Sequence, residues 1–485
     1  MLRIPQCMST QHPDNVNLPF FAESPELGGD DEVQEAYYAY SHLGCSEQMW
    51  DCEGKEVDNF VVRKLLSRYE SFFREKPLGR DVFLTMRVPN PKVESAEAKI
   101  LLETLESIPR SFDTACLFYA EECSPIFEVI LPMTTSHLAI DNIYRYYTEI
   151  VVGKQEIRLR EGGPTIADWI GRFRPDRINV IPLFEDMASM LDAHNMVRLY
   201  LEDKDLADQR VFLARSDPAM NYGLISAVLL NKIALLNLQE VSEEIGTRIH
   251  PIIGVGSAPF RGGLTPLTVD RVVAEYPGAR TFTVQSAFKY DYPLEDVRRG
   301  VRMLEDRQPT KPTQIDEKEV IDLIWRYTRA YERWLGPFAP LINRVARYVP
   351  ERRKRKLHIG LFGYARNTGG ITLPRAIKFT AALYSIGLPP EILGLNVLDD
   401  ADIEFIRKVY VNFDEDLRTA CRFLNTKTGF VPPDLAARVT DLVDIVPDEE
   451  HARLTTAISQ ALRENETGGL TSLILEAANR RRFLG

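Results

Sequence analysis

Apolar residues along the chain form two kinds of run. Short unbroken stretches occupy residues 82–86, 115–120, 127–133, 178–184, 210–216, 251–255, 281–287 and 357–362, and each reads as a buried strand. Between most of them lie longer segments with apolar positions every three to four residues: 60–73, 96–108 (Ala96, Ile100, Leu101, Leu105, Ile108), 220–245 closed by Gly246, and 294–305. Eight strand-like runs separated by helix-length segments predict a (β/α)8 barrel of the TIM type. One interval conflicts with it. Only residues 121–126 separate the second run from the third, whereas a parallel crossover needs about a dozen residues. One of those two runs therefore lies outside the barrel or is not a strand.

The pattern predicts a polar, proline-bearing connection at 307–314, then a long helix over 318–334. Beyond Thr372 the chain reads as helix throughout: 374–385, 401–424, 434–445, and two more that start after Asp448 and Thr467 as N-caps. The expected layout is a single catalytic domain over 1–485, with a barrel core over about 80–365 and a helical extension over about 372–485. Residues 1–60 read as loops. Among them Met8-Ser-Thr-Gln-His-Pro-Asp-Asn15 is polar and held extended by Pro13, so it presents His12 and Asp14. The segment from Gly44 to Asp58 packs acids around Trp50, and its role stays open.

Composition narrows the class. A chain of 485 residues with 45% hydrophobic content can bury one large core or two ordinary ones. No run reaches the ~18 uncharged apolar residues of a membrane span, and the first residues lack the apolar core of a signal peptide, so a soluble protein is expected. Six cysteines form neither a disulfide framework nor a Cys-x-x-Cys metal pair, which fits a cytoplasmic setting. The net charge of -11 argues against nucleic-acid or membrane partners. Arg352-Arg-Lys-Arg-Lys356 is the local exception and reads as a solvated loop.

Candidate chemistry lies just past the strand-like runs. Residues 178–184 lead into Glu185-Asp186, and 210–216 lead into Asp217. Two carboxylates on neighbouring strands suit a hard divalent cation, which takes one or two acids and keeps sites for water and substrate oxygens. The competing reading is that both acids merely cap the helices that follow. Arg87, Glu121, Gln285 and Lys289 would join them at the same end, beside Gly254-Val-Gly-Ser-Ala-Pro-Phe-Arg-Gly-Gly263. Glycines next to Arg261 would admit an anionic group that Arg can grip with paired hydrogen bonds. A second such segment, Arg366-Asn-Thr-Gly-Gly370 followed by Arg375 at a helix start, adds cations and helix N-terminal amides. Two acids and several arginines describe a site for a small polyanion, and no Walker A, nucleophile elbow or paired Cys/His set competes with it.

Four segments in order carry a family resemblance: Cys7-Met-Ser-Thr-Gln-His-Pro-Asp-Asn15, Gly44-Cys-Ser-Glu-Gln-Met-Trp-Asp-Cys-Glu-Gly54, Ala214-Arg-Ser-Asp-Pro-Ala-Met-Asn-Tyr-Gly223 and Gly256-Ser-Ala-Pro-Phe-Arg-Gly-Gly-Leu264. The chain resembles the short, archaeal-type phosphoenolpyruvate carboxylases, and more distantly the longer bacterial and plant enzymes. Residue by residue, the resemblance implies His12 as the catalytic histidine and Glu185 and Asp217 as metal ligands. It implies catalytic roles for Arg261 and Arg375, and substrate contacts at Arg87, Arg366, Gly262, Gly263, Gly369 and Gly370. The sequence departs from the long form in two places. A His and an Arg of the first glycine-rich element fall on residues 253–255, and a Lys three residues past the metal Asp becomes Met220.

The resemblance further implies a lyase that carboxylates phosphoenolpyruvate with bicarbonate to oxaloacetate and phosphate, through carboxyphosphate and a metal-stabilised enolate, with Mg²⁺ or Mn²⁺ required. A homotetramer assembled through the helical second half is the expected form. Two alternatives stay open: another metal-dependent barrel lyase or aldolase acting on a pyruvate-type enolate, and a non-catalytic helical assembly protein.

Overall fold

The computed structural model describes residues 3–53, 58–94, 98–354, 366–368 and 371–485; the side chains of 366–368 and 371 lie outside that description. Eight parallel strands close into a barrel in chain order: β1 Cys7–Ser9, β2 Glu47–Asp51, β3 Phe83–Arg87, β4 Glu128–Leu131, β5 Asn179–Phe184, β6 Asp208–Ala214, β7 Arg248–Gly254 and β8 Thr281–Val284. Closure comes where β1 pairs with β8, with Met8 opposite Thr283 and Ser9 opposite Val284. The predicted barrel is present, but two of its strands are not the predicted ones.

The 115–120 run is the end of a helix, Ala98–Tyr119, so the interval that was too short for a crossover poses no difficulty. The 357–362 run lies outside the described residues. In their place stand β1 and β2, drawn from the first 60 residues that the sequence reading treats as loops. The barrel therefore begins at Cys7 rather than near residue 80, and its last strand ends at Val284.

Strand periodicity sorts the side chains into layers. On β6, Arg210, Phe212 and Ala214 face the barrel interior, while Val211 and Leu213 join the surrounding apolar core. The lowest interior layer is ionic. Fully buried Arg210 donates from Nη1 to Glu47 Oε1 (2.7 Å) and Glu128 Oε2 (3.0 Å), and from Nη2 to Glu47 Oε2 (2.7 Å). Above it Met8, Met49, Ile130, Ile181, Leu183, Phe212, Ala214 and Ile252 form a dry plug. Pairing this close offsets part of the cost of burying the charges, and the plug separates this ionic layer from the carboxyl end of the barrel, where ligands bind in such folds.

The predicted helices appear with small shifts. Leu224–Ile245 ends at Gly246 in the left-handed conformation, and 89% of its most apolar window is buried inside the protein, which makes it a core helix. The long helix runs further than predicted, Glu317–Ala346. Residues 401–424 divide into Asp400–Val409 and Phe413–Cys421. Asp448 caps Glu449–Glu464 by accepting from His451 N (2.9 Å). Thr467 does not cap the last helix, Leu470–Arg481, whose N-cap is Gly469. A hairpin, β9 Arg366–Thr368 with β10 Ile371–Leu373, precedes the helix Ala376–Ser385.

Candidate active site

A cavity of about 600 Å³ opens at the carboxyl end of the barrel, lined among others by His12, Arg87, Glu185, Asp217, Arg261 and Arg375. Six residues singled out in separate stretches of sequence thus share one space. Its floor is apolar: Met49, Leu183 and Phe212 of the interior plug reach it. Gly254 keeps the floor open, since a β-carbon there would come within 2.8 Å of the Phe212 ring.

The two acids are held differently. Glu185 follows β5 directly, and its Oε2 accepts the Met133 N–H at 2.6 Å. Met133 donates from a left-handed backbone (φ 49°), a conformation that costs a non-glycine residue energy and concentrates at functional sites. The helix-cap reading fails for Glu185, because Asp186 is the cap, accepting from Ser189 N at 3.0 Å. Asp217 lies three residues past β6, in the first turn of Ser216–Tyr222. No cluster of three or more His, Cys, Asp or Glu suited to a metal occurs among the described residues. Glu185 and Asp217 both line the cavity, and two carboxylates could hold a hard cation that keeps water and substrate oxygens as ligands.

His12 is half-buried beyond β1, with Nδ1 2.9 Å from Thr10 Oγ1. Its carbonyl accepts from Ser286 N (3.2 Å) and Asp14 N (3.1 Å), which ties the β1 loop to the helix after β8.

Arg261 is 1% exposed and almost wholly engaged by protein. Its Nε donates to Ser216 Oγ (3.1 Å), Nη1 to Asp14 Oδ2 (3.1 Å) and to the Gly485 carbonyl (2.6 Å), and Nη2 to Gln285 Oε1. Burial pulls the guanidinium below its ordinary pKa, against the Asp14 charge. The glycine-rich loop makes this seat. A β-carbon on Gly256 would stand 2.8 Å from the guanidinium carbon. Gly262 and Gly263, expected at the substrate, are not among the cavity-lining residues; their N–H groups close the turn on Pro259 O and Ala258 O.

Arg87 ends β3. Asp51 at the end of β2 accepts from its Nε (3.1 Å) and Nη2 (3.2 Å), and Glu53 Oε2 lies 2.7 Å from Nη2. Burial would raise the Glu53 carboxyl, but the Arg87 cation brings it below its ordinary value. Of the acids around Trp50, Asp51 and Glu53 therefore fix Arg87, while Glu47 pairs with Arg210. Arg375 is the N-cap of Ala376–Ser385 and is exposed at the cavity wall. Arg366 lies on β9 with its side chain outside the description, and Gly369 and Gly370 lie outside the described residues.

A family model described as phosphoenolpyruvate carboxylase matches residues 4–485. The chain belongs to the phosphoenolpyruvate carboxylase family, in its archaeal type. It is 57% identical over 484 residues to a phosphoenolpyruvate carboxylase of Methanothermobacter thermautotrophicus and 58% identical over 484 residues to one of Methanospirillum hungatei, each match covering 100% of both chains. It is 49% identical over 493 residues to one of Halobacterium salinarum, again across 100% of both.

For a phosphoenolpyruvate carboxylase family member, the misread residues matter as much as the matched ones. Arg352 and Arg353 are not a solvated loop. Both are buried and line the cavity: Arg352 Nη2 donates to Val16 O (2.8 Å), and Arg353 pairs with Glu32 and Glu35. Lys289 lies beneath the site, 2.9 Å from Glu35 Oε1. Burial alone would raise Glu35, yet Arg353 and Lys289 bring it down to about 2. Glu121 is misplaced by the sequence reading, since it pairs with Arg80 on the surface. Arg215, also at the cavity, went unnoticed because its partners, Tyr276 and the Phe260 carbonyl, are distant in sequence.

Proposed function

We propose that this chain carboxylates phosphoenolpyruvate with bicarbonate, giving oxaloacetate and inorganic phosphate, as a carbon–carbon lyase. One observation carries the reading: His12, Arg87, Glu185, Asp217, Arg261 and Arg375 line one cavity at the ligand-binding end of a barrel, in a chain that matches the carboxylase family from residue 4 to 485.

In this reading Arg87 and Arg375 hold the substrate's phosphate and carboxylate where negative charge develops. A bicarbonate oxygen attacks phosphorus as the bond to the enol oxygen breaks, which yields carboxyphosphate and the pyruvate enolate. His12 takes the carboxyphosphate proton, the bond between its carbonyl carbon and the phosphoryl oxygen breaks, and CO2 forms beside the enolate carbon that captures it. The seat of Arg261 keeps a fixed cation near this charge. Glu185 and Asp217 would hold Mg²⁺, or Mn²⁺ in its place, which supplies Lewis-acid stabilisation of the developing negative charge. The apolar floor of Met49, Leu183 and Phe212 limits water, whose proton would convert the enolate to pyruvate.

The partners in this reading are small molecules, with no nucleic acid or membrane, and the setting is cytoplasmic. A homotetramer belongs to the same proposal. The helical second half is the assembly surface in this proposal; a separate exposed apolar patch lies in the excursion between β4 and β5, where Ile157, Leu159, Trp169 and Ile170 are each about half or more exposed.

The test gives purified protein phosphoenolpyruvate and Mg²⁺ with or without bicarbonate, and follows oxaloacetate through malate dehydrogenase. Oxaloacetate that needs both bicarbonate and metal is expected. Pyruvate or phosphate without oxaloacetate would reassign the site to another enolate lyase or aldolase, and no turnover would favour a non-catalytic assembly protein.

A further inference from the structure

Asp14 is completely buried, two residues after His12. Its Oδ1 accepts the Ala287 N–H at 2.7 Å, and its Oδ2 accepts from Arg261 Nη1 at 3.1 Å and, more weakly, from Ser257 N at 3.4 Å. Its own N–H donates to the His12 carbonyl, and its carbonyl accepts from Leu484 N at 2.7 Å. One residue therefore joins the loop after β1, the loop after β7 and the helix after β8.

Of the other groups that Arg261 bonds, a serine hydroxyl and a glutamine amide are neutral, and the third is an oxygen of Gly485. Among the described residues Asp14 is the carboxylate in salt-bridge contact with it. A buried guanidinium that loses a paired carboxylate is destabilised, and it would shift or draw water to itself. Its Nε contact, Ser216, directly precedes Asp217. A guanidinium that shifts would disturb the β1 loop, the β6 loop and Gln285 together.

We propose that Asp14 is a positioning residue for the carboxylation step, holding His12 in register with Arg261 through its two carboxylate oxygens. The proposal rests on the roles given above to His12 and Arg261. Asp14 touches no substrate in this scheme. Arg87 is held by Asp51 and Glu53, and Arg375 lies on a separate segment as the N-cap of Ala376–Ser385. Loss of the Asp14 charge should consequently impair turnover and spare substrate binding.

Asp14→Asn is the first variant, because its Oδ1 can still accept from Ala287 while its amide faces Arg261 with the wrong polarity. Per folded enzyme, kcat is expected to fall at least 100-fold, with KM for phosphoenolpyruvate within about threefold of the parent and a larger share of turnovers ending as pyruvate. A folded variant with kcat within threefold, or a loss wholly explained by its unfolded fraction, overturns the proposal. If Asp14→Asn does not fold, Asp14→Ala is prepared and assayed in formate, with formamide as the neutral control. Recovery of kcat by formate and not by formamide supports a positioning charge; equal recovery, recovery of melting temperature alone, or no recovery overturns it. His12→Asn is measured alongside: oxaloacetate from that variant would sink the His12 role beneath the proposal, whereas an unmoved Asp14 variant beside an inactive His12→Asn would sink the positioning role alone.

Discussion

Arg87 at the end of β3 meets Asp51 at the end of β2 through two hydrogen bonds, 3.1 and 3.2 Å, in a fork-to-fork arrangement that fixes the plane of the guanidinium. Glu53 adds a second carboxylate at 2.7 Å. Because Glu53 remains to balance the charge, Asp51→Asn should loosen the orientation of Arg87 without stranding it. KM for phosphoenolpyruvate is expected to rise roughly tenfold, equivalent to about 1.4 kcal/mol, with kcat changed much less. Steady-state kinetics at saturating bicarbonate measure this, and an unaltered KM would remove Arg87 from substrate binding.

His12 lines the cavity with its ring beside Thr10 and its carbonyl fixed by two N–H groups. His12→Asn keeps those backbone contacts and removes the proton acceptor. Phosphoenolpyruvate binding should persist and oxaloacetate formation should fall below detection, with residual turnover appearing as pyruvate. Isothermal titration and product analysis decide it; full oxaloacetate activity would exclude His12 from the chemistry.

What the sequence disclosed follows from which forces are local. β5 and β6 were legible because their apolar runs are continuous and lead straight to Glu185 and Asp217. β1 and β2 were not, being three and five residues long, and β2 carries Glu47 into the barrel. Glu47 is tolerated there only because Arg210, 163 positions away, pairs with it, and no window of sequence contains that fact. Residues 115–120 misled in the opposite sense, since a short apolar run suits helix and strand alike; Leu117 on that helix is 86% exposed. Arg352 and Arg353 looked solvated because their partners are distant in sequence: the Asn15 and Val16 carbonyls for the first, and Glu32 and Glu35 on the helix Asp30–Tyr38 for the second. The site residues themselves stood out past apolar runs and in polar or glycine-bearing loops, and motif resemblance gave them roles, whereas what holds them in place, Asp51, Glu53, Asp14 and Gly256, emerged only from the geometry.

Asp217 occupies the first turn of Ser216–Tyr222, beside the seat of Arg261. Asp217→Asn removes one of two anionic donors and leaves the side-chain volume unchanged. The Mg²⁺ concentration for half-maximal activity should rise at least tenfold, with the melting temperature nearly constant. Metal titration of the activity, with Mn²⁺ in parallel, tests this. An unchanged requirement would return Asp217 to a role at the helix start.

Glu391 provides a prediction for stability rather than turnover. It is fully buried behind the Arg261 turn, with Oε1 accepting from Phe260 N (2.7 Å) and Tyr384 Oη (2.6 Å). Its Oε2 is buried with no hydrogen-bond partner among the described residues. Burial dominates these bonds and pushes the carboxyl up from 4.5 to about 7. A raised pKa means that the folded state holds this proton more tightly than the unfolded state, so stability from this group is present below about 4.5 and is lost as pH rises through about 7. The loss is of order 3 kcal/mol across that window. Glu391→Gln keeps an acceptor for Phe260 and Tyr384, and its amide cannot ionise. Denaturant unfolding of the two proteins should give curves that agree most closely near pH 5 and separate toward pH 8, with the variant the more stable at the higher pH. Parallel curves across that range would show that Glu391 carries no buried proton.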